Sequence, residues 1–176
     1  LHFFMSDFWQ KCISRSGTIR GIGISCSGLS RELSETHRLV GEPSQAFGEA
    51  LVAGFILASY CKSGERMNLN IKGDGGAKLA LIDAYPEGTI RGYLVPNENP
   101  IFPNRDLTGE GPWGRGTLSV LRKREDVPGA EPYVGTVPLV TGHLAKDLAF
   151  YWSQSEQVPS AVGIAVNLGP DGRLSS

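Results

Sequence analysis

Residues 67–95 read MNLNIKGDGGAKLALIDAYPEGTIRGYLV, and this stretch decides the architecture. Met67, Leu69 and Ile71 alternate with Asn68, Asn70 and Lys72, a period of two that gives an extended chain one apolar and one polar face. The run breaks at Gly73-Asp74-Gly75-Gly76, resumes through Leu79, Leu81 and Ala84, turns again at 86–88, and resumes from Ile90 to Val95. Parallel strands need a crossover of a dozen or more residues, so turns this short predict antiparallel neighbours. The reading is a three-stranded meander.

Upstream, the period becomes helical. Pro43 stands where a first-turn proline is tolerated, and Phe47, Leu51, Leu57, Ala58 and Cys61 form one stripe, with Val52, Phe55 and Ile56 covering much of the remainder. A helix apolar around most of its circumference is predicted to be buried, against a sheet and a second helix; Lys62 and Gly64 end it. Residues 29–40, with Leu29, Leu33, His37 and Val40 at helical spacing, predict another helix capped by Ser27 or Ser30 and ended by Gly41. Residues 18–27 (TIRGIGISCS) read as a strand weakened by Gly21 and Gly23. Downstream, 96–113 is the longest loop, and 116–123 and 132–139 are a strand pair. Leu144, Leu148 and Tyr151 or Trp152 mark a last amphipathic helix, and 161–168 a last strand. With strands outnumbering helices and short turns between them, the fold class is α+β. Residues 1–168 form one domain, and the polar 169–176 are expected to begin a linker.

Composition closes several functional classes. The 176 residues carry 17 Lys+Arg against 18 Asp+Glu, so no electrostatic case arises for nucleic acid or an anionic membrane as the main partner. A hydrophobic fraction of 40 % and a charged fraction of 20 % suit a globular domain, which at this length removes roughly 70 % of its unfolded surface from water. The apolar run from Ala50 to Cys61 is too short to span a bilayer, and no basic start followed by an apolar core marks a signal peptide. The first residue is Leu rather than Met, which suggests a trimmed or partly represented chain. Cys12, Cys26 and Cys61 are odd in number and far apart, which fits reduced thiols in a cytoplasmic compartment.

The motifs that could carry chemistry are incomplete. Gly73-Asp74-Gly75-Gly76-Ala77-Lys78 lacks the Gly-Lys-Ser/Thr ending of a phosphate loop and lies between strands, and Gly21-x-Gly23 lacks a third glycine. His2, His37 and His143 are scattered, and neither His-Glu-x-x-His nor Cys-x-x-Cys is present to hold a metal. His143 and Asp147, four apart on a predicted helix, read as a surface pairing or a first-turn histidine. No Gly-x-Ser-x-Gly elbow occurs, and Arg122-Lys123-Arg124 runs directly into Glu125-Asp126, a solvated strand end. Cys61 lies on a buried helix face, an inert core thiol; nothing beside Cys12 or Cys26 argues for activation. The residues predict no catalytic site and no cofactor.

Several stretches, in order over nearly the whole chain, resemble the Hsp33 chaperones. They are 70–76 (NIKGDGG), 89–93 (TIRGY), 133–142 (YVGTVPLVTG), Asp147, and 155–159 (SEQVP). The residues carrying the likeness are Gly73, Asp74, Gly75, Arg91, Gly92, Tyr133, Gly135, Gly142, Asp147, Ser155, Glu156, Gln157 and Pro159, all expected to be structural. Gly76 departs from the proline common in the family. The resemblance implies a three-layer domain of antiparallel-rich sheets and packed helices, belonging to a cytoplasmic, ATP-independent holdase that binds unfolding proteins and forms a homodimer when active. It also implies a C-terminal zinc module whose cysteines bind zinc when reduced and form disulfides when oxidised. This chain stops at Ser176, before that module, and none of its three cysteines matches those ligands.

A holdase needs accessible apolar surface rather than a catalytic constellation. Candidate client-binding residues are Phe3, Phe4, Phe8 and Trp9 near the N-terminus, and Ile101, Phe102 and Trp113 in the long loop. The competing reading is a structural or dimerisation module that is inactive without the missing half.

Overall fold

A computed structural model describes residues 7–100 and 111–175. In chain order the elements are β1 (Phe8–Ile13), β2 (Arg20–Ser25), α1 (Ser27–Thr36), α2 (Glu42–Ala58), β3 (Glu65–Gly73), β4 (Ala77–Ala84), β5 (Ile90–Pro96), β6 (Gly116–Arg124), β7 (Tyr133–Leu139) and α3 (Leu144–Tyr151). A wide π-type turn, Trp152–Glu156, prolongs α3. The meander of 67–95 is present as β3-β4-β5, and β6-β7 is added on the other side of β3. The result is a five-stranded antiparallel sheet of order β5-β4-β3-β6-β7.

Register follows from the alternation. Leu69 lies between Ile82 on β4 and Val120 on β6, so the inward-facing residues form rows across the sheet. Met67, Leu69, Ile71, Ala80, Ile82 and Leu118 are fully buried on that face. Each large side chain there contributes roughly 1.5–3 kcal/mol by leaving water. α2 lies on these rows, in contact with β3, β4 and β5, and on its other side meets α1, β2 and the C-terminal segment. Phe47, Ala50, Leu51 and Ala53 are accordingly fully buried. Sheet, helices and the β1–β2 hairpin make three layers, the α+β arrangement expected from the sequence.

Four local expectations are corrected. β1 is a strand that the aromatic-rich N-terminus did not reveal, paired with β2 from Phe8↔Ser25 to Ile13↔Arg20. α1 stops at Thr36 instead of reaching Val40: Arg38 takes a positive φ of 55°, and the Leu39 N–H turns back to the Ser34 carbonyl at 3.0 Å. Its cap comes from neither Ser27 nor Ser30 but from Asp7, whose carboxylate accepts the Gly28 and Leu29 N–H groups at 3.0 and 2.9 Å. Gly41 is the N-cap of α2 rather than the end of α1.

The expected strand 161–168 is extended, with Val162, Ile164, Val166 and Leu168 half-buried and the alternate residues more exposed. It forms no ladder among the described residues; only Leu168 bridges, to Leu174. The tail expected to begin a linker is docked as far as Ser175. Leu174 is buried, the Gly41 N–H donates to the Gly172 carbonyl at 2.7 Å, and the Ser175 N–H to the Asn167 carbonyl at 2.9 Å.

Candidate functional site

The second face of the five-stranded sheet carries no helix among the described residues, because α2 lies on the Met67–Leu69–Ile71 side. Three cross-strand rows make up this open face. One runs Val95–Leu79–Lys72–Thr117–Pro138, the next Tyr93–Leu81–Asn70–Ser119–Thr136, the third Arg91–Asp83–Asn68–Leu121–Val134. Its β4–β5 end is apolar: Leu79 and Leu81 are half-buried, and Tyr93 and Val95 remain 42 % and 38 % exposed. Beside this patch the third row is ionic. Asp83 accepts from Arg91 at 3.0 Å and from the Asn68 amide at 3.0 Å, and Arg66 lies at 3.9 Å. At the β6–β7 end of the middle row the Ser119 and Thr136 hydroxyls share a hydrogen bond of 2.9 Å. An apolar patch rimmed by polar residues is the chemistry of a docking surface for apolar polypeptide.

Sequence reasoning missed this face, although a signal was present. In Leu79-Ala80-Leu81-Ile82 both alternating sets are apolar, which marks a strand with two apolar faces. The aromatic candidates fare differently. Phe8 is exposed on β1, whereas Trp9 is half-buried, edge-on to Phe55 at 5.8 Å with Lys11 over its ring. Trp113 is wholly buried and offers no surface to a client. Phe3, Phe4, Ile101 and Phe102 lie outside the described residues.

The motif residues form structural clasps. At the β3–β4 turn, the Asp74 carboxylate accepts the Arg115 N–H at 2.6 Å, and the Gly75 and Gly76 N–H groups donate to the Trp113 and Pro112 carbonyls. A side chain at Gly75 would stand 2.6 Å from the Pro112 carbonyl oxygen and 2.7 Å from the Trp113 carbonyl carbon, so only glycine fits against this loop backbone. Arg91 pairs with Asp83, and the Gly92 carbonyl meets the His37 ring at 3.2 Å. Tyr133 donates to the Ser155 carbonyl at 3.1 Å while Arg122 lies over its ring.

Glu156 receives both Arg122, at 2.8 and 2.9 Å, and the Tyr151 hydroxyl at 2.8 Å. Burial first, then Glu156, pushes the Tyr151 phenol far up. Arg122 therefore serves this cluster, whereas Lys123, Arg124, Glu125 and Asp126 are exposed and form the solvated strand end expected of 122–126, with Arg124 paired with Asp126 at 2.7 Å. Gly135 faces the Tyr151 ring, Gly142 packs on Gly114, and Gln157 closes the π-type turn in a left-handed conformation before Pro159. Asp147, expected at a surface pairing, is fully buried and caps the Val140 and Thr141 N–H groups at 3.0 Å.

The three thiols stay apart and do not fit a zinc site. Cys12 is exposed on β1, Cys26 lies buried beside Ser30, and Cys61 is buried at the end of α2. Burial raises the Cys26 thiol and pushes Cys61 up to about 11, which disfavours the thiolates that would ligate a metal. No cluster of three or more potential metal ligands occurs among the described residues, nor does any helix there have the length and apolarity to cross a membrane.

A family model described as "Hsp33 protein" matches residues 7–175. The chain belongs to the Hsp33 family. It is 34 % identical over 173 residues to the 33 kDa chaperonin of Geobacter sp. (strain M21), covering 98 % of this chain and 58 % of that protein. Against the 33 kDa chaperonin of Clostridium botulinum (strain Loch Maree / Type A3) it is 36 % identical over 176 residues, again 98 % of this chain and 58 % of the relative. The crystal structure of the 33 kDa chaperonin of Thermotoga maritima superposes with a TM-score of 0.78 at 29 % identity, covering 95 % of this chain and 57 % of that one. The chain thus spans somewhat over half the length of these Hsp33 relatives.

Proposed function

We propose that this Hsp33 domain is an ATP-independent holdase that captures extended apolar segments of unfolding proteins on the open face of its five-stranded sheet. The observation that carries the reading is the patch of Leu79, Leu81, Tyr93 and Val95, apolar surface on a sheet face with no helix over it among the described residues. Relatives named 33 kDa chaperonin support a chaperone role. Clients are recognised by apolar character alone, so a flat patch rimmed by polar groups suffices. The setting is cytoplasmic, and the active form a homodimer. On this reading, the redox control through zinc and disulfides that the family resemblance implies resides outside these residues.

The test is light scattering from a thermally unfolding client under reducing conditions, with and without the chain. Suppression near stoichiometric amounts is expected, and Tyr93→Asp and Val95→Asp should weaken it while leaving the unfolding temperature nearly unchanged, since both side chains are solvent-exposed. Full protection by both variants would remove the patch from the mechanism. No protection by the parent chain would assign capture to the remaining part of the longer relatives.

A further inference from the structure

Three buried polar atoms find no hydrogen-bond partner where α2, α3 and the 111–115 loop meet: Glu49 Oε2, Trp113 Nε1 and Asp147 Oδ2. Asp147 and Trp113 have no accessible surface, and Glu49 keeps 8 % of its own. No Lys or Arg among the described residues forms an ion pair with either carboxylate.

The groups facing Glu49 come from every element at the joint. From α2, the Gln45 amide donates to Oε1 at 3.3 Å. From α3 come the Leu144 N–H and the Asp147 carboxylate, with His143 as N-cap and Lys146 turned to solvent. From the loop, the Trp113 indole N–H lies against it without completing a bond. Asp147 is already anchored through Oδ1, which accepts the Val140 and Thr141 N–H groups. A second carboxylate charge buried beside it, with no counter-ion, is unfavourable. A metal cation fits poorly, because an N–H donor shares the space.

We propose that Glu49 is a proton-binding site at this joint, protonated while α2, α3 and the 111–115 loop are closed on one another, and that losing the proton loosens them. Burial, more than the neighbouring Asp147, drives its carboxyl up to about 7, against the opposing pull of Gln45 and the Leu144 N–H. A value raised above the unfolded one makes the folded state bind more protons. The stabilisation is therefore complete below the ordinary carboxyl range of about 4.5, and is lost as pH rises through about 7.

The test is denaturant unfolding of the parent chain and of Glu49→Gln between about pH 5 and about pH 8. The folding constant of the parent should fall by up to about tenfold per pH unit in the lower part of that range, while Glu49→Gln loses this component of the slope and is at least as stable at the upper end. Hydrogen exchange of the α3 amides, corrected for intrinsic base catalysis, should accelerate with pH in the parent only. Equal slopes in the two proteins would overturn the proposal. Infrared difference spectroscopy of the parent provides a readout that does not depend on the variant folding. The carbonyl band of a protonated buried acid should be present at about pH 6 and vanish at about pH 8, and its absence at the lower pH would equally overturn the site.

Discussion

At the scale of the single residue, Asp147 organises more of its surroundings than its place on a short helix suggests. Its Oδ1 accepts the Val140 and Thr141 N–H groups at 3.0 Å and lies 3.3 Å from the Thr141 hydroxyl, tying the end of β7 to the first turn of α3. A negative charge there also faces the partially positive helix N-terminus. Asp147→Ala leaves these donors without an acceptor and should cost about 3 kcal/mol in urea unfolding. Asp147→Asn retains a carbonyl acceptor and should cost clearly less; equal losses would show that hydrogen bonding is not its contribution. The sequence singled out Asp147 through family resemblance and through its spacing of four from His143, which suggested a surface pairing instead of a buried cap. Its partners lie six and seven residues upstream and return to it through a turn at Gly142, a geometry without any periodic signature. Trp113 was misplaced for a related reason. A loop rich in proline reads as solvated, yet its carbonyls are clasped by the Gly-Asp-Gly turn and its indole fills the core.

At the scale of the element, α2 was the most legible part of the chain and also contains the clearest conflict between local and tertiary preference. Its apolar circumference pointed to burial, and it lies with Phe47, Leu51 and Ala53 sealed between layers. Gly54, in its middle, is poor for an isolated helix, and alanine there would gain about 1 kcal/mol of propensity. A Cβ at that position would stand 2.7 Å from Ile82 Cγ2 and 3.2 Å from Ile90 Cδ1, two side chains of the underlying sheet. Overpacking of this kind costs about 1–3 kcal/mol, so Gly54→Ala should lower the unfolding temperature despite the better propensity. A rise would mean that the helix can lift from the sheet at little cost. What remained illegible among the elements depended on distant partners. The alternation in 161–168 marks a chain half-buried on one side, but no ladder forms there among the described residues even though β2 is paired with β1 on one side only, so the period of two did not specify a strand partner. The cap of α1 comes from Asp7, twenty-one residues before Gly28, beyond any local motif.

At the scale of the whole molecule, the layers separate a thiol-bearing interior from the apolar sheet face. Cys26 and Cys61 lie in or beside the helical layer, and Cys12 sits on the hairpin, whereas Leu79, Leu81, Tyr93 and Val95 belong to the far side of the sheet. Burial holds the Cys61 thiol at about 11 and raises that of Cys26, so both are almost wholly protonated at neutral pH and poorly nucleophilic. Native alkylation should therefore modify Cys12 quickly, and the other two only as fast as the domain opens, which mass spectrometry of digested samples can follow. Since Cys12 is remote from the open face, its modification should leave client protection unchanged, and the chain should protect equally well with and without reductant. A large activity change on adding thiol, with Cys12 blocked, would place redox control inside these 176 residues and require Cys26 or Cys61 to become exposed in the working state. Indifference to thiol would leave client protection to the apolar sheet face and remove the three thiols of this domain from its control.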